Sequence, residues 1–285
     1  MKEMILCLCL VEGFNMKNSI LIIGESGVGK THFGAQLLMR LQQNLGQLSM
    51  DGAATNLEPF IEAMDRLNEG VTAEHTPLKT YVESVWPVKS KNGYTGQLIW
   101  PDYAGEHVSN IVISHNISNE WHQRIVESSS WIIIIRPHLY RISADMLSKS
   151  SENNSELNSP TETGELSDQS RFIELLQIFL YLYSKSNPNS KTPKVCFLIS
   201  CWDELNVKEK PFEFLREHLP MLSEFIHSKW ERPLIMGLSA LGKSLDKKIN
   251  DSEYQTSGPE KFGYVVEVDG IHNSDLTLPI NYLIE

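Results

Sequence analysis

Ser19-Ile20-Leu21-Ile22-Ile23-Gly24-Glu25-Ser26-Gly27-Val28-Gly29-Lys30-Thr31-His32-Phe33 sets a largely β-branched apolar run against a glycine-rich turn, with a helical pattern behind it. The turn from Gly24 to Thr31 fits G-x-x-x-x-G-K-[ST], and a strand before it with a helix after it is the context in which that pattern holds phosphate. Gly24 lets the chain leave the strand sharply. Gly29, lacking a Cβ, lets the backbone wrap a phosphate with its amides pointing inward. The helix behind it adds a positive N-terminal end. Glu25, Ser26, Gly27 and Val28 complete the cradle. Lys30 is placed to reach the β- and γ-phosphates, Thr31 to put its hydroxyl on Mg²⁺, and His32 follows on the first helical turn.

Outward from this turn, apolar runs and helical patches alternate. Residues 31–45 repeat Phe33, Leu37, Leu41 and Leu45 about one turn apart, and 57–67 place Leu57, Phe60, Ile61 and Met64 on one face; both read as helices. Residues 81–88 and 97–100 flank Lys91-Asn92-Gly93 and read as a hairpin. Residues 131–135, 195–199 and 234–238 are unbroken apolar runs, the pattern of parallel strands covered on both faces. Residues 171–185 form a helix with Phe172, Leu175, Leu176, Phe179 and Leu182 in register. Pro211 and Pro220 open two further helical pieces.

The expected fold is an α/β three-layer sandwich with a mostly parallel six-stranded sheet and helices on both faces. It occupies residues 17–285 behind an N-terminal extension, 1–16, in which Met16 offers an alternative start. Residues 143–170 are rich in Ser, Asn, Glu and Thr, cannot offset their ordering entropy by burial, and read as a disordered insertion. Residues 247–261 look like a shorter segment of the same kind.

Composition narrows the partners. The 285-residue chain carries a net charge of −11, which repels nucleic acid and anionic membranes. A single nucleotide, gripped by amides, one lysine and Mg²⁺, is still accommodated. The four cysteines show neither zinc nor disulfide spacing and fit a reducing cytoplasm. No apolar run approaches a membrane span, and the short patch near the start lacks a signal-peptide cleavage site.

Three further stretches bear on chemistry. Gln97 to Glu106 ends an apolar strand with Asp102-Tyr103-Ala104-Gly105, the D-x-x-G of Ras-like proteins: Asp102 reaches a Mg²⁺-bound water and the Gly105 amide the γ-phosphate. Glu106 stands where Ras-like proteins orient water with glutamine, followed by His107. With Lys30, these are the catalytic candidates, and solvated switch residues are the plainer reading of Glu106 and His107. A threonine that closes over the metal is expected before the second strand; Thr72, Thr76 and Thr80 compete, with Thr80 and Thr76 placed best.

The third stretch is Ser200-Cys201-Trp202-Asp203, at the end of the fifth expected strand. It keeps the aspartate of the N-K-x-D motif but neither its asparagine nor the lysine whose stem covers a face of the base. Asp203 can accept from the guanine N1–H and N2–H₂, a donor pair adenine lacks; a helix-capping carboxylate is the bland alternative. Ser239-Ala240 matches the start of S-A-K after the sixth strand. Arg136, just past the fourth, reads as a strand end at solvent or as a stabilising arginine in cis.

The loop resembles those of septins and myosins. Together with Leu67-Asn68-Glu69-Gly70, His75-Thr76, Trp100 to Glu106, Gly263-Tyr264-Val265-Val266 and Asp275-Leu276-Thr277-Leu278-Pro279-Ile280, the chain resembles the bacterial double-GTPase family of biological-conflict gene clusters. The resemblance implies a Ras-like domain that binds GTP/GDP and Mg²⁺ and works with protein effectors or a second GTPase in anti-phage defence. Likeness to septins admits a homodimer across the nucleotide face. A module that binds nucleotide without hydrolysing it, or an ATP-dependent enzyme, are the alternatives.

Overall fold

The computed structural model describes residues 18–73, 82–102, 111–140 and 167–285. The extension 1–16 and nearly all of the 143–170 insertion lie outside the described residues. Within them, nine strands form a single sheet in the order β2-β3-β4-β1-β5-β6-β7-β8-β9. Its centre is β1 (Ser19–Gly24), β5 (Ser130–Ile135), β6 (Lys194–Ser200) and β7 (Leu234–Ser239), all parallel, with β4 (Thr95–Asp102) parallel to β1 on the other side. These strands are apolar because helices cover both faces. Along β1, Ile20 and Ile22 join one core while Leu21 and Ile23 join the other, the period-two alternation of a pleated strand.

β3 (Val82–Ser90) runs antiparallel to β4, with Lys89 opposite Thr95 across the Lys91-Asn92-Gly93 turn, so the expected hairpin forms, with both strands reaching nearer the turn and β4 running on to Asp102. The six-strand expectation misses three short strands: β2 (Leu48–Met50), β8 (Tyr264–Val266) and β9 (His272–Asn273), all antiparallel to their neighbours. None has the length or the apolar run that marks a buried strand, and each is held by tertiary contacts. Thr277 Oγ1 and Asp275 Oδ2 accept the backbone N–H of Gln47 at 3.0 and 2.8 Å, fastening the start of β2 to the C-terminal segment.

α1 (Lys30–Gln43) and α2 (Glu58–Asn68) pack on each other and on the face bearing Ile20 and Ile22. α1 stops two residues before the expected Leu45, because Asn44 turns left-handed (φ 55°) and leaves Leu45 exposed. The two helices approach so closely that a Cβ on Gly34 would lie 2.3 Å from the Phe60 ring. Phe60 in turn stands edge-on to Trp86 and Trp100, with centroids 4.9 and 5.4 Å away.

The opposite face is covered by α3 (Asn119–Glu127), α4 (Asp168–Ser186), α6 (Pro211–His218) and α7 (Pro220–Lys229), with one-turn α5 (Trp202–Leu205) between β6 and α6. α4 begins at Asp168, capped by Ser167 Oγ, so the last residues assigned to the insertion belong to a helix. Residues 247–261 are likewise structured. α8 (Ser252–Ser257), capped by Asp251, buries Tyr254 completely.

Tyr254 anchors an internal polar chain. Its hydroxyl donates to Leu241 O (3.1 Å) and accepts from Gln36 Nε2 (2.8 Å), and Gln36 Oε1 accepts from Arg40 (2.6 Å). Arg40 also donates to Phe262 O, and burial lowers its pKa to about 10. α9 (Leu278–Ile284) is the last element and buries Ile280, Leu283 and Ile284. No helix among the described residues is long and apolar enough to cross a membrane.

Candidate functional site

The C-terminal ends of β1, β5, β6 and β7 open into one cleft of about 560 Å³, the size of a small-molecule site. At one end is the glycine-rich loop. Gly27 (φ 75°) and Gly29 (φ 89°) adopt backbone conformations that disfavour side chains, and Gly29 caps α1. Val28 turns inward beneath the loop, where a Cβ on Gly24 would lie 2.8 Å from it. Lys30 Nζ lies across the loop, donating to Gly24 O (2.6 Å) and Glu25 O (2.8 Å), so its charge is held inside the turn.

The loop is braced from two sides. Arg171 of α4 forms a forked pair with the Glu25 carboxylate, and this hydrogen bond raises the arginine's pKa. Arg136, immediately after β5, donates to Gly27 O (3.1 Å) and to Glu204 Oε2 (2.8 Å). Burial opposes the Arg136 charge, but the Glu204 hydrogen bond and the nearby carboxylates of Glu204 and Asp203 outweigh it and the pKa is raised. Arg136 is thus only partly at solvent. It spans from the phosphate loop to α5. On the loop's other flank, His32 Nε2 lies 3.1 Å from the Ala73 amide, which donates to it, and 2.9 Å from Thr72 Oγ1.

Asp203 and Ser239 meet at the other end. Ser239 Oγ donates to Asp203 Oδ1 at 2.6 Å and accepts the Gly242 amide at 2.9 Å, while Ala240 lines the cleft beside them. α5 has no side-chain cap, so the Asp203 carboxylate is not spent on capping. Having given one lone pair to Ser239, it retains acceptor capacity. Ser200 Oγ instead ties β6 to β5 through Ile135 O (3.1 Å). Trp202 belongs to the core: it is 4% exposed, packs against Phe214, and lies where a Cβ on Gly237 would strike it. Cys201 lines the cleft in a left-handed conformation (φ 54°), its thiol pushed up to about 11 by burial.

The structure thus brings Glu25, Ser26, Gly27, Val28, Gly29, Lys30, Thr31, His32, Asp203 and Ala240 around one cavity, with Ser239 behind Asp203. Asp102 is the last residue of β4. β4 runs parallel to β1, paired with it as far as Leu21 with Ile99. Thr31 lines the cleft, and its hydroxyl is an oxygen of the kind that Mg²⁺ accepts beside phosphate and water. Thr76, Thr80, Gly105, Glu106 and His107 lie outside the described residues. Arg171 and the Arg136 bridge escape sequence reasoning, because nothing local marks an arginine as a loop brace. The only sign available is that Arg136 follows the strand next to the one ending in Ser200.

The model of the Double-GTPase 1 family matches residues 21–283, nearly the whole described fold. The chain belongs to the Double-GTPase 1 family. Its sheet order, with the phosphate loop between β1 and α1 and the antiparallel β3 beside β4, is that of a P-loop GTPase domain. No curated protein matches the chain. Among solved structures, this Double-GTPase 1 chain is similar to the signal recognition particle receptor SRβ from Chaetomium thermophilum, in complex with SRX. That likeness has 16% identity over 80% of this chain and 93% of that one, with a TM-score of 0.40. It is also similar to a bacterial selenocysteine-specific elongation factor, EF-Sec, at 12% identity over 79% of this chain, with a TM-score of 0.35. A third likeness is to the GDP-bound Roco2 RocCORdC of Methanosarcina barkeri, at 14% identity over 79% of this chain, with a TM-score of 0.31. The chain spans 26% of the EF-Sec chain and 44% of the Roco2 chain.

Proposed function

We propose that this double-GTPase chain is a GTP-binding switch that hydrolyses GTP slowly with Mg²⁺ and passes its nucleotide state to protein partners. One observation carries the guanine reading: the Asp203 carboxylate, fixed by Ser239, faces the same cleft as the phosphate loop and keeps acceptor capacity for a base. Adenine presents no matching donor pair, so a carboxylate there opposes ATP. Lys30 and the amides of Gly27 to Thr31 hold the phosphates, and Thr31 and Asp102 hold the metal, which supplies charge neutralisation at the phosphates when bound. Glu106 and His107 are the residues to test for handling the attacking water.

The candidate switch residues Thr76, Thr80, Gly105 and Glu106 are the ones through which nucleotide state would reach partners. The partner is a second GTPase or an effector, and the family's place in biological-conflict gene clusters makes anti-phage defence the context in which to seek it. The deciding experiment is equilibrium binding of labelled GTP, GDP and ATP with Mg²⁺, followed by single-turnover hydrolysis. GTP binding at least tenfold tighter than ATP is expected, with turnover that Lys30→Ala abolishes. Equal or tighter ATP binding defeats the guanine assignment, and no turnover defeats hydrolysis.

A further inference from the structure

The base-side motif of this chain lacks a cation. Where N-K-x-D supplies a lysine, the residue that follows β6 is Cys201, whose thiol burial keeps protonated. The neighbouring strand supplies one instead. β5 and β6 are parallel with Ile135 level with Ile199, so Arg136, the next residue, stands beside Ser200 and Cys201. Its guanidinium spans the cleft wall from Gly27 O to Glu204, next to Asp203. Its buried Nε–H has no hydrogen-bond partner among the described residues, although the rest of the guanidinium is engaged by a carboxylate and a carbonyl. A buried donor left unmet is costly, so the guanidinium is held here by its two bridging contacts at the expense of its third donor.

We infer that Arg136 replaces the missing lysine as the cation that joins the phosphate loop to the base-reading segment and covers the nucleotide where base and ribose meet. Tied to Gly27 O, it holds that carbonyl away from the phosphates and leaves the loop amides facing them. Tied to Glu204, it fixes the one-turn helix that carries Asp203. Both ends of the nucleotide site are thereby set by one side chain that originates outside either motif. Arg136 is a positioning residue, not a base or a nucleophile. The role rests on the guanine-nucleotide reading above.

The test uses the full chain with labelled GTP, GDP and ATP in Mg²⁺, and moves the cation between strands. Arg136→Met keeps an apolar stem for packing and deletes the charge; it is expected to weaken GTP and GDP alike by ten- to a hundredfold. Adding Cys201→Lys to Arg136→Met returns a cation to the β6 position and is expected to recover at least tenfold of that affinity. A merely structural arginine would show no such rescue from a different strand. Melting temperature is read for each variant; should Arg136→Met prove too unstable to assay, Arg136→Lys, which keeps one cation but not the two-way bridge, is expected to lose three- to tenfold. Native-like GTP affinity in the assayed Arg136 variant, or no recovery from Cys201→Lys, overturns the inference. Failure of the native chain to bind GTP overturns the function itself, which separates the two.

Discussion

Asp203→Asn gives the sharpest prediction, because the structure fixes how the new amide would lie. Ser239 Oγ donates to Asp203 Oδ1 at 2.6 Å and is itself held by the Gly242 amide. With both of its own roles assigned, Ser239 will select the oxygen of the introduced amide as its acceptor and turn the NH₂ group toward the base. Guanine then meets a donor where it needs an acceptor. One hydrogen bond to a charged group, worth about 1.5–3 kcal/mol, is lost and the other now goes to a neutral oxygen, so GTP affinity should fall by at least roughly 10- to 100-fold. Xanthine carries a carbonyl where guanine carries its amino group, and XTP should become the preferred nucleotide. Competition of unlabelled GTP, XTP and ATP against a fluorescent nucleotide measures all three. A GTP affinity within threefold of the native value, in a variant with an unchanged melting temperature, would remove Asp203 from the base site.

Four further outcomes rest on single contacts. Lys30→Ala removes the cation lying across the loop and should reduce binding of every triphosphate by at least about a hundredfold, read by the same competition, with a melting temperature shifted by only a few degrees. Gly34→Ala drives a Cβ into Phe60 and should cost about 1–3 kcal/mol, seen as a lower denaturant midpoint with unchanged slope. Tyr254→Phe leaves Gln36 Nε2 without its acceptor and should lower stability by about 1–3 kcal/mol without altering base preference. Cys201 should resist alkylation at pH 8 and react as pH approaches its raised pKa of about 11, with bound nucleotide protecting it; peptide mapping after timed labelling reads this. The same raised pKa means that the fold gains from the neutral thiol, a contribution complete below the ordinary value of 9.0 and lost as pH rises from there to about 11.

What the sequence discloses follows the range of the forces involved. The phosphate loop, the five parallel strands and the main helices are legible because their causes are local: glycine geometry at Gly27 and Gly29, continuous burial at Ile132 to Ile135, helical spacing at Phe33 and Leu37. β2, β8 and β9 are invisible because two- and three-residue strands owe their pairing to partners far along the chain, as Gln47 does to Asp275 and Thr277. The polar stretch 247–261 looks unstructured because its one decisive residue, Tyr254, is buried by α1, more than two hundred positions away. Arg136 is misread for the same reason: its partners, Gly27 and Glu204, are distant in sequence, and only strand adjacency reveals them. By contrast, that Asp203 and Ser239 come together is legible, because order along the chain and position at neighbouring strand ends suffice.

The last helix carries a consequence for how the protein comes into being. Ile280, Leu283 and Ile284 fill the core beneath the centre of the sheet, and Ile284 closes on Gly96 beside the carbonyl of Asn18, at the foot of β1. During synthesis, the first strand and its loop exist long before the residues that seal them. Until α9 clears the ribosome, the part of that apolar floor which α1 and α2 do not reach lacks its cover, and exposed apolar surface of this kind is what chaperones and misassembly act on. Emergence of α9, rather than of the nucleotide loop, is the event that makes the domain whole.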